Sequence, residues 1–442
     1  MATPRELALK ILYDIEKNGA YLNISFQNHT EGVVLTERDV ALLKELTYGV
    51  MKYKLTLDSV IARFSSVKLK KLAPFVLCIL RLGLYQLYFM DKIPESAAVN
   101  ESVKLAGRYA GKSRGFINAI LRRAAKEALT LPEGQEPEAL SVRYSHPLVL
   151  VRFLLETFGA VRAEELMAEN NQTPALCVRV NTFKTSKAQL MQRLKDEGAS
   201  VSEGTQADGA LLFESGGVQK LSSYKEGLFT IQDQSAQLAA LALDPQPGNT
   251  VFDVCAAPGG KTTHLAELME NQGEILALDV YEKRLLSVTE SAKRLGLTII
   301  KTQAADAATY VFSQPADKIL IDAPCSGLGV IRRRPDIKYK PELTDFSELV
   351  SIQKNIINHC ADFLKPGGEM VYSTCTINPG ENENQVMSFL QQRKDFELVP
   401  IKSSHIIGEA QRILQNGMGT FYPEPDGGDG FFIAKLRRRN HG

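Results

Sequence analysis

Residues 250–262 read Thr-Val-Phe-Asp-Val-Cys-Ala-Ala-Pro-Gly-Gly-Lys-Thr, and the reading of this stretch decides the fold. A short apolar run, VFDVC, gives way to small residues and two glycines, and a helix-compatible segment begins at Gly260. That is the pattern of a buried strand turning sharply into a helix. Working outward, the apolar runs EILALDV, KILIDA and EMVYST recur downstream, separated by helix-like segments at 260–270, 281–295 and 345–364. Alternation of this kind predicts an α/β domain, a parallel sheet with helices on both faces. Open sheets of that type bind ligands beyond the carboxyl ends of their strands, so the residues that end the strands are the candidates for function.

The first strand ends in Asp253 and the loop Cys255-Ala256-Ala257-Pro258-Gly259-Gly260-Lys261. Its small residues allow backbone amides to approach a ligand at a helix start, where negative charge is favoured. The next strand ends at Asp279, 19 residues beyond Gly260. A carboxylate at that distance can accept both hydrogens of a ribose hydroxyl pair. Three ligands suit such a loop. A nucleoside triphosphate needs G-x-x-x-x-G-K-[ST], and Gly260-Lys261-Thr262 supplies its end, but Cys255 stands where the first glycine belongs. A dinucleotide needs G-x-G-x-x-G, which is absent. S-adenosylmethionine, an adenosine without phosphate, remains, and Asp306 after the strand-like run IIKTQAAD suits its adenine. The plainer alternatives are a helix N-cap for Asp279 and a turn residue for Asp306.

Two more strand ends carry cysteines. KILID leads into Asp322-Ala323-Pro324-Cys325, and EMVYS leads into Thr374-Cys375. Isolated cysteines are usually small buried hydrophobes, and Cys78, Cys177 and Cys360 sit in apolar patterns that fit this. Cys325 and Cys375 differ, because both are expected at the sheet edge that carries the cofactor loop.

The rest of the 442-residue chain is organised differently. Residues 4–130 carry apolar residues at helical spacing, punctuated by Thr36, Pro74 and Pro94, which predicts five or six helices in a helical domain of residues 1–140. A linker is expected at LPEGQEPEAL (131–140). Residues 141–235 predict a small α+β module, with a helix near 147–157, a strand at 177–182 and a helix from Ser186. Residues 236–442 form the α/β domain. Between Lys52 and Lys126 there are 15 Lys or Arg against 4 Asp or Glu, although net charge is +1. Such a surface suits a polyanion such as nucleic acid, against a simple solvated helical face. The six cysteines have no C-x-x-C pair, so neither zinc nor a disulfide framework is expected. No stretch approaches the roughly 20 apolar residues of a membrane span. The N-terminus, MATPRELALKILYDIEK, reads as a first helix and not a signal peptide. A cytoplasmic protein without metal or membrane partner is expected, and nothing demands more than a monomer.

The runs Asp253–Thr262, Asp322–Gly327 and Ser373–Thr376 resemble three successive motifs of the RNA cytosine-5 methyltransferase family, in its bacterial 16S ribosomal RNA branch. The similarity continues through Gly329–Lys338 and Gly427–Leu436, and Gly115–Arg123 resembles the RNA-binding domain of the antitermination factor NusB. It covers essentially the whole chain. Tyr339 departs from it, standing where relatives often carry Trp, and so does Ala305, where many have Gly.

The resemblance implies a Rossmann-like methyltransferase domain, preceded by an all-α NusB-like domain and a small α+β module. It implies methyl transfer from S-adenosylmethionine to carbon 5 of a cytosine in 16S ribosomal RNA of the small subunit. Cys375 would add to carbon 6, Cys325 would assist release, and Asp322 would bind the base edge and touch the cofactor. Cys255, Ala256, Ala257, Pro258, Gly259, Gly260 and Lys261 would hold methionine and sugar, Asp279 the ribose and Asp306 the adenine. Arg332, Arg333 and Arg334 are candidate phosphate contacts or, equally, a solvated basic loop. Two other classes remain: a nucleotide hydrolase using Lys261, and a non-catalytic RNA-binding assembly factor. The choice of cytosine over uracil rests on the resemblance alone.

Overall fold

The computed structural model describes residues 2–214, 217–425 and 427–440. Its chain divides into two compact units, one of residues 1–172 with 331–343, the other of 173–330 with 344–442.

The first unit is helical. Seven α-helices span Pro4–Asn18, Leu22–Thr30, Glu37–Lys52, Lys54–Phe64, Pro74–Phe89, Glu95–Tyr109 and Arg114–Ala124, one or two more than the periodicity predicts. Short helices account for the difference, because nine to eleven residues give few turns over which a pattern can show. Boundary residues act as expected from sequence. Thr36 and Asp39 form a reciprocal capping box, Pro74 sits in a first turn, and Pro94 precedes a helix. A core of Leu9, Ile11, Leu43, Leu46, Ile61, Ile79, Leu80 and Leu121 closes the bundle. The expected linker is partly ordered: Pro137–Tyr144 is a helix. The next helix runs from Leu148 to Glu169, longer than expected, and breaks at Gly159, whose φ of 75° only glycine adopts readily.

Residues 331–343 leave the α/β domain and belong to this helical unit. Two 3₁₀ turns lie here, Pro335–Tyr339 and Pro341–Thr344. Asp336 accepts from the Leu22 amide at 3.3 Å, and the buried Lys338 ammonium donates to the Lys52 carbonyl at 2.8 Å. Arg332 is buried and only Arg334 of the three arginines is exposed. The expectation of a basic loop free for phosphate therefore does not hold for Arg332, because the segment packs into a core and does not run over the surface.

The second unit holds two sheets. Strands β1 (Leu176–Val180), β2 (Val201–Glu203), β3 (Ala210–Phe213) and β4 (Phe229–Ile231) form an antiparallel sheet in the order β2-β3-β1-β4. The helix Lys187–Asp196, capped by Ser186, buries Leu190 and Leu194 in a core with Val178, Val180 and Phe229. The larger sheet contains β5 (Thr250–Asp253), β6 (Glu274–Asp279), β7 (Ile300–Ala304), β8 (Ala316–Asp322), β9 (Leu364–Thr374), β10 (Phe396–Leu398), β11 (Met418–Phe421) and β12 (Phe431–Arg438). The order is β10-β12-β9-β8-β5-β6-β7, with β11 beside β12. Strands β5 to β9 run parallel, and the last three are antiparallel additions at one edge.

Alternate residues of each strand serve opposite faces. Leu320, Val371 and Ile433 join one core, while Ile319, Ile321, Tyr372 and Phe432 join the other. The chain proceeds from β5 outward through β6 and β7, then returns to the other side of β5 with β8 and β9. The crevice beyond the ends of β5 and β8 is thus the topological switch point, where a ligand is expected.

Candidate active site

Strand β5 ends at Asp253, which is buried, and burial pushes its carboxyl up to about 7. One oxygen accepts from the Thr262 hydroxyl at 2.7 Å, while Oδ1 is buried without a hydrogen-bond partner. The loop after it folds back so that the Ala256 amide donates to the Leu278 carbonyl at 2.7 Å. Gly259, with φ 103°, starts the helix Gly260–Leu268. A Cβ at Gly259 would lie 2.9 Å from the Val288 backbone, so the close approach of loop and neighbouring helix requires glycine.

Lys261, in the first turn of that helix, crosses to the next strand end. Its ammonium lies 2.7 Å from Asp322 Oδ2 and 4.9 Å from the Phe431 ring centre. Burial opposes its charge, but the Asp322 carboxylate and a negative charge on Cys375 both favour it, and the net shift is upward. Asp322 also accepts from the Ser373 hydroxyl at 3.0 Å. Lysine and aspartate are therefore paired across β5 and β8, which leaves no free ammonium of the kind a triphosphate loop presents.

Cys325 and Cys375 come just after β8 and β9, and their sulfurs are 3.3 Å apart. Both residues are half-buried, whereas Cys78, Cys177 and Cys360 are buried. The hydrogen bond to Cys375 holds the Cys325 thiol well above its ordinary range, with burial and the Glu381 and Asp322 charges adding to the effect. Either sulfur can be the donor in this contact. Asp279 ends β6, buried, and its carboxylate receives the Tyr281 amide at 3.0 Å and pairs with Arg284 at 3.3 Å. Asp306 lies just after β7, exposed, and caps a turn by accepting from the Ala308 amide at 2.9 Å. The Ala305 amide donates to the Asp279 carbonyl, so the two acids lie on adjoining strand ends.

Comparison with known proteins places this arrangement. Residues 240–437 match the family described as 16S rRNA methyltransferase RsmB/F, residues 2–126 the NusB family, and residues 146–219 the ferredoxin-like domain of RsmF/B-like methyltransferases. The chain is 36% identical over 441 residues to the probable ribosomal RNA small subunit methyltransferase B of Bacillus subtilis (strain 168), covering 98% of each.

The chain belongs to the RsmB/F methyltransferase family.

Solved structures agree with the membership. The protein PH0851 superposes with a TM-score of 0.82 at 26% identity, over 99% of each chain. NSun6 from Pyrococcus horikoshii, solved with SFG, gives 0.60 at 27% identity, over 67% of this chain and 99% of that one. The Rossmann-like domain of this RsmB/F protein uses S-adenosylmethionine. The residues present fit that group. Oδ1 of Asp253 is a buried acceptor without a hydrogen-bond partner, the small residues of the 255–260 loop follow it directly, and buried Asp279 ends the neighbouring strand.

Several RsmB/F site features escape sequence reasoning. Asp253 stands inside the decisive motif, but its burial and orphaned oxygen come from the fold. Glu381 lies six residues beyond Cys375 in the turn Asn378-Pro-Gly-Glu381-Asn382, and nothing in the sequence distinguishes it from a solvated turn acid. It is fully buried, and it binds the residue next to Cys325. Arg179 on β1 donates to Glu267 at 2.7 and 2.9 Å and to the Gly260 carbonyl at 2.7 Å, tying the small module to the helix Gly260–Leu268. An arginine inside a buried strand is the only local signal of that role.

Proposed function

We propose that the protein methylates carbon 5 of a cytosine in 16S ribosomal RNA, with Cys375 as nucleophile, Cys325 as the release thiol and Asp322 binding the base. The observation that carries this reading is the pair of sulfurs 3.3 Å apart at the sheet edge that also bears the 255–261 loop.

Carbon 5 of cytosine is a weak nucleophile until a group adds to carbon 6. Attack by the Cys375 thiolate forms the S–C6 bond and moves the C5=C6 electron pair onto carbon 5. When bound, S-adenosylmethionine supplies a sulfonium methyl that this electron-rich carbon takes. Loss of the C5 proton to solvent restores the double bond, and the Cys375 sulfur departs with its electron pair. Thiolate is the competent form, and free thiols are only a few per cent ionised at neutral pH. Lys261 supports the ionised state, since charge on Cys375 and charge on Lys261 favour one another. Cys325, whose thiol is held well above its ordinary range, lies 3.3 Å from the same sulfur and in its protonated form would donate to it and ease its departure. Asp322, oriented by Lys261 and Ser373, offers its carboxylate to the N3/amino edge of the base. Cys255, Ala256, Ala257, Pro258, Gly259, Gly260 and Lys261 hold the methionine and sugar of the cofactor, Asp279 its ribose and Asp306 its adenine. The target base is unpaired or extruded, because a duplex hides both the face and the edge that this chemistry uses.

The test compares two variants on ribosomal RNA. Cys325→Ala is expected to accumulate an enzyme–RNA complex that survives denaturation, and Cys375→Ala to yield neither complex nor 5-methylcytosine. Exchanged outcomes would reverse the two roles, and full activity in both variants would end the covalent mechanism.

A further inference from the structure

The two cysteine loops are anchored differently. Cys375 is held through its own strand and the turn that leaves it. Its carbonyl accepts from the Gly329 amide at 3.0 Å, the Thr374 hydroxyl donates to Asn382 at 2.6 Å, and Asn382 returns a hydrogen bond to the Thr376 carbonyl at 3.0 Å. The Cys325 loop is tied to that strand by the Ala323 amide, which donates to the Ser373 carbonyl at 2.9 Å, and by the Ser326 and Thr376 hydroxyls at 2.7 Å, and one further side chain binds both of its flanks. Glu381 receives the Ser326 amide at 2.9 Å and the Ser326 hydroxyl at 2.5 Å, one on each carboxylate oxygen. Gln353 donates to Glu381 at 2.9 Å and also to the Pro324 carbonyl at 2.9 Å, so the residues on both sides of Cys325 are bound to this carboxylate or through it. Asn378, on the turn that leaves Cys375, adds a fourth donor at 3.0 Å, so three of the four donors come from the Cys325 loop and Gln353 and one from the Cys375 side.

Glu381 has no exposure, and no Lys, Arg or His among the described residues pairs with it. A buried carboxylate without a cation is costly unless every lone pair is used. Here four donors use them, and two come from the residue adjoining a reactive thiol. A glutamine would cost less to desolvate, but it could not receive donors at both terminal atoms as this site requires. A carboxylate accepts at both oxygens, whereas an amide accepts at one and presents donors at the other.

We propose that Glu381 is a positioning residue that holds Cys325 against the Cys375 sulfur, and that it serves release of the methylated base while leaving the initial addition to the Cys375 loop. The inference rests on the proposed covalent mechanism and assigns within it a residue that touches neither base nor cofactor.

Glu381→Gln puts an amide nitrogen against Ser326 or Asn378 and loosens the Cys325 loop. A displacement of about 1 Å at a reacting group costs on the order of a hundredfold in rate. Steady-state turnover is therefore expected to fall by roughly ten- to a hundredfold. Formation of the denaturation-resistant enzyme–RNA complex in the first turnover, and affinity for S-adenosylmethionine, are each expected to stay within about threefold, well short of a tenfold change. The complex accumulates, as in Cys325→Ala. Ser326→Ala, which removes one donor and keeps the carboxylate, shows the same pattern more weakly and decides the matter if the first variant does not fold. Equal loss of complex formation and turnover, or normal turnover, overturns the inference. Cys325→Ala run in parallel separates the levels: if it accumulates no complex, the covalent mechanism itself fails. If it does and neither the Glu381 nor the Ser326 variant behaves likewise, only the role of Glu381 falls.

Discussion

Asp253 shows how the fold sets the titration of one buried residue. Its carboxyl is pushed up to about 7 by burial, from an ordinary value of 3.8. The folded protein thus binds a proton that the unfolded chain releases at lower pH. This group favours folding most below about pH 4, and the contribution is lost as pH rises to about 7, by a few kcal/mol at roughly 1.4 kcal/mol per unit. The difference in urea stability between the parent and Asp253→Asn is expected to change across that window and to be flat above it; a flat difference throughout would refute the burial argument. Glu369 has the opposite sign. Burial opposes its ionisation, but Lys318, Arg437 and Lys435 hold it down to about 2, and its contribution is lost only as pH falls below about 4. In the proposed cofactor site, whose loop follows directly on Asp253, a cationic cofactor would favour the ionised form. Binding of S-adenosylmethionine near pH 6.5 is therefore expected to release protons, measured by calorimetry in buffers of different ionisation enthalpy, and Asp253→Asn removes that release.

At the scale of elements, β1 and the helix Gly260–Leu268 are joined by one buried ion pair. Arg179 grips Glu267 with two parallel hydrogen bonds and reaches Thr263 at 3.1 Å. Both side chains are 1% exposed, so removal of one leaves the other charge without compensation. Arg179→Ala is expected to cost about 3–5 kcal/mol in urea unfolding, and Arg179→Met with Glu267→Leu to recover most of it. Because Arg179 also holds the Gly260 carbonyl, the double variant is expected to bind S-adenosylmethionine more weakly than the parent even where stability returns. Equal affinity would show that the small module does not steady the cofactor loop. The strands themselves were legible from sequence: VFDVC, EILALDV and KILIDA appear as β5, β6 and β8 at nearly the expected bounds. Long apolar runs report local burial, which is why they read so plainly.

Across the whole molecule, the basic stretch between Lys52 and Lys126 lies in the helical unit. Lys68, Lys70, Lys71, Arg108, Lys112, Arg114, Arg122 and Arg123 lie on its surface, most of them well exposed. Replacing Lys112 and Arg114 with alanine is expected to weaken RNA binding at low salt and to lower the slope of log affinity against log salt by roughly 1 to 2, if both neutralise phosphates. An unchanged slope would mark them as a solvated face.

The amino-acid order alone determined the class of each region and the strand ends on which Asp253, Asp279, Asp322, Cys325 and Cys375 stand, because periodicity and glycine-rich turns are local properties. Tertiary structure alone decided that two sulfurs 50 residues apart lie 3.3 Å from each other, that Lys261 spends its charge on Asp322, and that Glu381 is buried. It also decided that residues 331–343 join the helical unit. These are contacts between segments distant in sequence, set by how sheets and helices pack, and no window of neighbouring residues contains them.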